Sequence, residues 1–306
     1  MRQQVNLQVW HLMMTNGTML EQDIMTRIRR SRHRIRPLDL ERDMARTHHV
    51  RRKDVRTALH ALVAQGKLTY VNELGCTFVE PSLESAVRLT DHLVIRPPGV
   101  SFVPGKDDIV LTIGRGAAFG DGRHPTTRLA LRGIEYLLKP SAANILNPQT
   151  HLLDIGTGSG ILALAALKMG IEKGIGLDRD ACARHEARVN ATLNQLEKRL
   201  KIQDGPLNGP KGPFDLITAN LRPPTLHVLY DNILSLTRPG GFVVLSGMKT
   251  EEADAIALRY GEPAFKRLWQ ASEIGWCAMA FRRIERQPAA VNRPGQVFVP
   301  PISPAR

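Results

Sequence analysis

Cysteine is scarce in this sequence, and long apolar runs are absent. The 306 residues include only Cys76, Cys182 and Cys277, an odd number at wide spacing and in no pairing typical of a zinc site. We therefore expect reduced thiols, no bound metal and a cytoplasmic location. The longest apolar run, residues 161–167, is far shorter than the roughly 18 to 20 residues of a membrane span, so we predict no membrane contact. We also expect no export signal, because His11 interrupts the apolar N-terminal patch and no small-residue cleavage site follows.

The length and composition are those of a folded chain of about two domains. An apolar fraction of 42% and a charged fraction of 23% exclude wholesale disorder and a fibrous repeat. Basic residues outnumber acidic ones by 42 to 29, which gives a formal net charge of +13. Such an excess favours a polyanionic partner, although charge alone is equally consistent with a solvated surface.

The basic residues are concentrated near the N-terminus. Residues 27–56 contain twelve Lys or Arg and four Asp or Glu and so carry +8 of the total charge. The hydrophobic spacing predicts three helices between residues 19 and 65, and two β-rich runs around residues 72–75 predict a hairpin. Three helices followed by a hairpin is the order of a winged helix-turn-helix, so we predict a small winged-helix-like domain over residues 1–80.

The third predicted helix has its basic residues at its N-terminal end, which is the end that contacts DNA in that fold. We predict that a nucleic acid or another partner binds there, through Arg51, Arg52, Lys53 and Arg56. A protein-docking surface is the alternative, because winged helices also serve as docking modules.

The remainder of the chain divides into three parts. Residues 81–106 contain several Pro and Gly and are predicted to form a linker. Over residues 107–285, strand-like and helix-like segments alternate, which predicts a doubly wound, mostly parallel α/β sheet. The Pro-rich residues 286–306 are expected to form a disordered tail.

In an open α/β sheet, ligands bind in the loops after the strands. The loop after a predicted strand at 151–154 has a G-x-G-x-G spacing formed by Gly156, Gly158 and Gly160. A dinucleotide fingerprint requires a further glycine where Ile161 stands, which argues against NAD. Glycines at these positions let an adenosyl-type ligand lie directly on the backbone.

Two acidic residues follow the next strands. Asp178 ends the second strand, where its carboxylate could accept hydrogen bonds from both hydroxyls of a ribose. Asp204 follows the third strand, where it either holds an adenine amino group or forms a turn beside Gly205 and Pro206.

At these residues the chain resembles a class I S-adenosylmethionine-dependent methyltransferase, and further motifs resemble the PrmA family, the methyltransferases of ribosomal protein L-eleven. The resemblance covers about residues 107–283. Five segments carry it: Ala118–Thr127 in the place of the family's F-G-T-G-x-H-P-T-T motif, the glycine loop Asp154–Ala163, Ala219–Leu221, Leu245–Gly247 and Trp276–Cys277.

The resemblance implies a doubly wound, seven-stranded Rossmann-like methyltransferase sheet and S-adenosylmethionine as cofactor. By this resemblance, Thr127, Gly156, Asp178 and Asn220 would contact the cofactor. The other expected cofactor-binding residues are Phe119, Asp154, Gly158, Gly160 and Asp204. Phe119 and Trp276 are candidates to stack on adenine or to form a wall of the substrate pocket, with a place in the core as the alternative.

The leading chemistry is methylation of an amine, a lysine or an α-amino group, on a protein, and the family implies a ribosomal protein. Asn220 is the candidate to accept a hydrogen bond from the amine, and His124 and Asp121 are candidates to receive its proton. The alternative for His124 is a ring that fixes the turn before Pro125, and for Asp121 a loop cap.

Two departures from the family pattern keep other functions open. Residues 1–80 do not match the small α/β module that grips the ribosomal protein in that family, and Arg222 stands where a small residue is expected. The alternatives are an RNA methyltransferase and a DNA-binding regulator that uses a methyltransferase fold to sense a ligand.

Overall fold

The computed structural model describes residues 19–285, apart from 29–30, 32, 74, 83, 115, 139–148 and 206–208. The tail predicted over residues 286–306 lies outside the described residues.

The N-terminal part is a helical module closed by a hairpin. Its elements are α1 (19–28), α2 (Pro37–His48), α3 (Arg52–Ala64), β1 (Leu68–Glu73) and β2 (Cys76–Pro81). Strands β1 and β2 pair antiparallel, and an isolated bridge joins Ile35 to Val79 of β2. The apolar stripes of the three helices pack on one another, with Ile24, Leu40 and Leu59 fully buried. This is the predicted order of elements, and its identification as a winged helix stays a prediction.

The segment predicted as a linker contains structure. Within residues 81–106 lie β3 (Val87–Arg88) and β4 (Leu93–Arg96), which form a small sheet with β5 (Ile109–Thr112). Leu93 and Ile95 are buried in the same apolar core as Leu131 and Ile134. The Pro and Gly residues on which the linker prediction rests occupy the connection between β4 and β5, whereas residues 87–88 and 93–96 are strands.

A seven-stranded sheet lies at the centre of the described residues that follow β5, as predicted. The strands are β6 (His151–Ile155), β7 (Lys173–Leu177), β8 (Leu200–Gln203), β9 (Phe214–Asn220), β10 (Thr237–Lys249), β11 (Phe265–Glu273) and β12 (Trp276–Arg283). They lie in the order β11-β12-β10-β9-β6-β7-β8. Strands β6 to β10 are parallel where they pair, and β12 runs antiparallel to both its neighbours.

Helices cover both faces of this sheet. They are α4 (Pro125–Leu138), α5 (Ile161–Lys168), α6 (Ala181–Leu193), α7 (Pro223–Leu236) and α8 (Ala253–Arg259), and a short 3-10 helix (Thr250–Glu252) precedes α8. Helices α4, α5 and α6 contribute to one apolar core, and α7 and α8 contribute to the other. In the described part of the chain, no helix is both long enough and apolar enough to cross a membrane.

The order of the strands reverses at β6. Strands β7 and β8 are added on one side of β6, and β9 and β10 are added on its other side. Ile155 of β6 pairs with Leu177 of β7 and with Ala219 of β9. The carboxyl ends of the three strands therefore lie level, and the loops that follow them are side by side. This reversal point is where open α/β sheets bind ligands.

Candidate functional site

The glycine loop after β6 is held against β7 by its own backbone. Gly156 and Thr157 both donate their N–H groups to the Leu177 carbonyl, at 2.8 Å each, and Gly160 donates to the Thr157 carbonyl at 2.8 Å. Gly156, Gly158 and Gly160 all have positive φ angles, which explains the glycine spacing. These N–H groups point into the protein and are not available to a ligand.

The two remaining N–H groups of the loop are also occupied. Gly158 donates to Asp178 Oδ2 at 2.9 Å, and Ser159 donates to the Phe119 carbonyl at 2.9 Å. A phosphate-binding loop needs free N–H donors aimed at the ligand. The structure therefore adds a second argument against a dinucleotide to the one given by Ile161.

Asp154 lies beneath the loop and is completely buried. Its two carboxylate oxygens accept hydrogen bonds from the hydroxyls of Thr157 and Thr218, at 2.7 Å each, and the Ala163 N–H of α5 also donates to the carboxylate. Burial raises the pKa of Asp154 to about 6 against the opposing effect of these hydrogen bonds. Asp154 was predicted to bind the cofactor, but the structure gives it the role of joining the loop to β9.

Asp178, at the end of β7, is half-buried and faces an open cleft of about 760 Å³. Its Oδ1 accepts a hydrogen bond from the Asp180 N–H at 2.9 Å, as its Oδ2 does from Gly158. Two carboxylate oxygens offer about four lone-pair positions, so both can still accept a bond from a ligand. The predicted site residues Gly156 and Asp178 thus line one cleft, together with apolar side chains that include Leu177 and Leu221.

Asp204 does not line this cleft. Its side chain is 64% exposed and pairs with Arg184 at 3.4 Å, whereas the next residue, Gly205, does line the cleft. The sequence predicts Asp204 as a cofactor-binding residue in the loop after the third strand; in the structure its carboxylate pairs with Arg184 of α6 and does not line the cleft.

Three aromatic rings form a row beside the start of α4. The Phe119 and His124 ring centroids are 5.3 Å apart, and His124 meets the Trp276 ring edge-on at 4.9 Å. Phe119 is 54% exposed, so it is not a core residue. The row therefore forms a surface that another molecule can contact.

His124 uses one ring nitrogen to begin α4. The Thr126 N–H donates to His124 Nδ1 at 3.3 Å, and the Thr126 hydroxyl lies 2.7 Å from the same atom. A neutral ring that accepts at Nδ1 carries its proton on Nε2. Burial, with the charges of Arg128 and Arg34, lowers the pKa of His124, so the ring is neutral at pH 7. This geometry favours the turn-fixing interpretation of His124.

Asp121 behaves as a loop cap. It accepts a hydrogen bond from the Arg123 N–H at 3.0 Å and pairs with the Arg123 guanidinium at 3.0 Å. These local contacts favour the loop-cap interpretation of Asp121.

Asn220 ends β9 next to the start of α4. Ser246 of β10 pairs with Asn220 and donates its hydroxyl to the Thr126 carbonyl at 2.9 Å. Gly247 has φ +94°, and a Cβ there would lie 2.4 Å from the Leu221 carbonyl oxygen, so only glycine fits. The L-S-G segment thus holds the Asn220 turn against α4, and Asn220 makes no side-chain hydrogen bond to the described part of the chain.

Thr127 in the first turn of α4 is fully buried, and its hydroxyl has no hydrogen-bond partner among the described residues. Buried hydroxyls are nearly always paired, but Thr127 is not among the residues that line the cleft, so its contact with a cofactor stays a prediction. No group of three or more potential metal ligands occurs within the described residues.

In the N-terminal module, most of the predicted partner-binding cations have carboxylate partners. Arg51 pairs with Asp54 at 3.0 Å. Arg52 and Arg56 pair at 3.4 and 2.8 Å with Glu41 of α2, whose side chain is only 5% exposed. Lys53 lies exposed on the same helix.

Residues that the sequence did not identify complete the site. Thr218 donates its hydroxyl to Asp154, and Ser159 donates its N–H to the Phe119 carbonyl. Arg128 of α4 pairs with the buried Glu273 of β11 and donates to the carbonyls of Gly122 and Arg123, so it fixes the turn before His124. Thr218 is a polar residue inside the mostly apolar strand β9. This is the signal in the sequence that could have indicated its role as a hydrogen-bond partner of Asp154.

The strand order, the single antiparallel strand β12, the G-x-G-x-G loop and the acidic residue after β7 together define the fold of the class I S-adenosylmethionine-dependent methyltransferases. A family model described as "Ribosomal protein L11 methyltransferase (PrmA)" matches residues 85–284. The chain therefore belongs to the ribosomal protein L11 methyltransferase family.

Individual relatives agree with this assignment. The ribosomal protein L11 methyltransferase of Geotalea uraniireducens is 34% identical over 201 residues, 64% of each chain. That of Burkholderia orbicola is 36% identical over 182 residues, 60% of this chain and 57% of its own. The solved L11 methylase of Lactobacillus delbrueckii subsp. bulgaricus, 30% identical, superposes with a TM-score of 0.58 over 66% of this chain and all of its own. This chain thus matches less than two thirds of the length of these two curated relatives, and residues 1–84 lie outside the family match.

Proposed function

We propose that this chain transfers a methyl group from S-adenosylmethionine to an amine of a protein. The observation that carries the proposal is the cleft at the carboxyl ends of β6, β7 and β9, where Gly156, Asp178 and Leu221 meet. The names of the relatives, ribosomal protein L11 methyltransferases, support a ribosomal protein as the substrate.

The residues of the cleft fit this cofactor. Ile155, Leu177 and Leu229 offer apolar walls to an adenine ring, and Asp178 retains lone pairs for the two ribose hydroxyls. Thr127, outside the lining of the cleft, has a buried hydroxyl that no described residue pairs with. The bound cofactor supplies a methyl group attached to a positively charged sulfur.

Residues next to the cleft orient the acceptor. The free carboxamide oxygen of Asn220 accepts an N–H of the neutral amine and directs its lone pair. With the cofactor held by Asp178 and the walls of the cleft, this lone pair would face the methyl group, whose carbon–sulfur electron pair would leave with sulfur. Neutral His124 carries its proton on Nε2 and is a donor there, so the proton that the amine loses passes to water. The protein acts mainly by positioning and by excluding water.

Two variants test the cofactor site. Asp178→Ala removes charge-assisted hydrogen bonds that are each worth about 1.5 to 3 kcal/mol, so we expect the Kd for S-adenosylhomocysteine in calorimetry to rise at least about a hundredfold. Asp204→Ala is the matched control, because this carboxylate is exposed and outside the cleft, and it should leave the Kd unchanged. Equal effects of the two changes would contradict the site.

Labelled S-adenosylmethionine identifies the acceptor. After incubation with a cell lysate, we expect label in protein, concentrated in the ribosomal fraction, and Asn220→Ala should reduce kcat more than cofactor affinity. Label in RNA alone would establish the RNA methyltransferase alternative, and cofactor binding without any turnover would establish the regulator.

A nucleic acid is the second partner that we propose, bound by the N-terminal module. The exposed residues of α3 are Arg52, Lys53, Arg56, Thr57, His60 and Ala64, and the one acidic residue of the helix, Asp54, is paired with Arg51. Although Arg52 and Arg56 pair with Glu41, their side chains remain 46% and 50% exposed, so each guanidinium still reaches solvent. A helix face of this kind suits a phosphate backbone.

The salt dependence of binding tests this proposal. Each phosphate contact contributes about one unit to the slope of log affinity against log salt concentration. Replacing Arg52, Lys53 and Arg56 with Gln should therefore lower the slope for RNA or DNA by about three units. The control replaces three exposed lysines of the α/β domain, Lys198, Lys201 and Lys266. Equal slopes for the two triple variants would refute the assignment to α3.

A further inference from the structure

Helix α6 clamps a backbone segment that the proposed mechanism does not use. We call residues 116–120 the strap. Glu186 of α6 accepts hydrogen bonds from the backbone N–H groups of Ala117 and Ala118, with Oε1 at 2.7 and 3.1 Å and Oε2 at 3.1 Å from Ala118. One side chain thus satisfies two consecutive amides of the strap.

Two more side chains on the same face of α6 and just beyond its end hold the chain that leads into the strap. Asn190 Oδ1 accepts from the Gly114 N–H at 2.8 Å. Asn194 accepts from the Thr112 N–H at 2.9 Å and donates to the Thr112 carbonyl at 2.7 Å. Positions 186, 190 and 194 are spaced by four, which places them along one side of a helix.

The strap lies directly on the glycine loop. Its Phe119 carbonyl accepts the Ser159 N–H, and its Gly120 carbonyl accepts the Ser159 hydroxyl at 2.7 Å. A Cβ on Gly158 would lie 2.3 Å from the Phe119 oxygen. Asn190 also donates to the Ser159 carbonyl at 2.8 Å, so Ser159 is fixed from both the strap and α6.

We propose that Glu186 is a positioning residue for the cofactor site. By fixing the amides of Ala117 and Ala118, it holds the Phe119 carbonyl against the Ser159 amide and thereby keeps the glycine loop in its binding shape. The inference rests on the proposed function, because it takes the glycine loop to be the cofactor-binding loop.

A substitution at Gly116 offers a second, independent way to disturb the hydrogen bonds that Glu186 makes with the strap. A Cβ at Gly116 would lie 2.0 Å from Glu186 Oε2, and only the Glu186 carboxyl atoms rank among its nearest contacts. Gly116 is not among the glycines with positive φ, so alanine adds no backbone strain of that kind. Gly116→Ala should therefore act by displacing the Glu186 carboxylate, the flexible end of a side chain.

The experiment is a double-mutant cycle measured in the full chain. We expect Glu186→Ala to raise the Kd for S-adenosylhomocysteine about tenfold and to speed hydrogen exchange at the amides of Ala117 and Ala118. Glu186→Gln keeps an oxygen in the place of Oε1 and should restore most of the affinity. Glu197→Ala, which removes an exposed carboxylate near the same helix, should change neither quantity. Gly116→Ala should weaken binding in the wild-type background and have no further effect in Glu186→Ala.

The outcomes separate this inference from the proposed function. A wild-type chain that binds no S-adenosylhomocysteine would overturn the cofactor assignment and the inference with it. Normal wild-type binding with an unchanged Kd in Glu186→Ala would overturn the inference alone, as would additive effects of Gly116→Ala and Glu186→Ala. A circular dichroism melt of each variant sets the temperature of the titrations, which are made well below every unfolding transition, so that a loss of affinity is not a loss of folding.

Discussion

Gly158 lies where the glycine loop touches the strap, and its replacement by alanine can be analysed in two steps. The first is the conformational cost of φ +55°, which is about 1 to 2 kcal/mol for a residue with a Cβ. The second is the clash, because the added Cβ would lie 2.3 Å from the backbone oxygen of Phe119. No rotamer relieves a contact with backbone, so the strap must move and its two hydrogen bonds with Ser159 are weakened. These bonds are worth about 1 kcal/mol each, and we expect Gly158→Ala to cost about 3 to 4 kcal/mol in all.

Gly75 provides the control for the conformational cost. It lies in the hairpin between β1 and β2 at φ +76°, and nothing lies within 4 Å of the position that a Cβ would take there. Gly75→Ala should therefore cost only about 1 to 2 kcal/mol. Urea denaturation followed by far-UV circular dichroism measures both variants. If Gly158→Ala lost no more stability than Gly75→Ala, the close contact between strap and loop would be refuted.

Two titrations provide further predictions. Because the pKa of Asp154 is raised to about 6, the native state binds a proton that the unfolded chain has released, so the stability from this group is present below about pH 4 and lost as the pH rises to about 6. Denaturation curves should show the wild type losing on the order of 3 kcal/mol relative to Asp154→Asn between pH 4 and pH 7, and a flat difference would contradict the burial argument. The lowered pKa of His124 has the opposite sign, with stability present above about pH 6.5 and lost as the pH falls. Its ring should titrate in NMR at a lower pH than in the urea-unfolded chain, and Arg34→Gln should raise the midpoint; no change on that substitution would mean that the N-terminal module does not approach His124 as described.

The sheet was predictable from sequence because parallel strands of this class are buried on both faces. β6 and β9 are short, mostly apolar runs; Gly156 follows β6, and Asn220 ends β9. Such runs indicate a strand and the loop after it without reference to the rest of the chain. The small sheet of β3, β4 and β5 was missed because β3 and β4 are too short to give a clear local pattern. β3 has only two residues, and Pro97, Pro98 and Gly99 after β4 are a stronger local signal than its four residues.

The sequence predicted where the acidic residues of the site lie along the chain more accurately than it predicted what each carboxylate contacts. The sequence located Asp154 near the end of the first strand of this group, and Asp178 and Asp204 after the next two, but the direction of each carboxylate depends on its partners. Asp154 turns inward to Thr218, 64 residues away, and Asp204 turns outward to Arg184. No local pattern encodes such pairings, and only Asp178 is left facing the cleft.

The same reasoning explains how one glycine pattern serves different ligands. In a phosphate-binding loop, the N–H groups at the start of the helix remain free for an anion. In this chain the buried carboxylate of Asp154 accepts the Ala163 N–H of α5, while carbonyls and Asp178 occupy the five N–H groups of residues 156–160. An anion at these N–H groups would have to displace bonds that are already made inside the protein. What the loop still presents to the cleft is glycine backbone without side chains, beside a carboxylate, and this combination suits a nucleoside bearing hydroxyls and no phosphate.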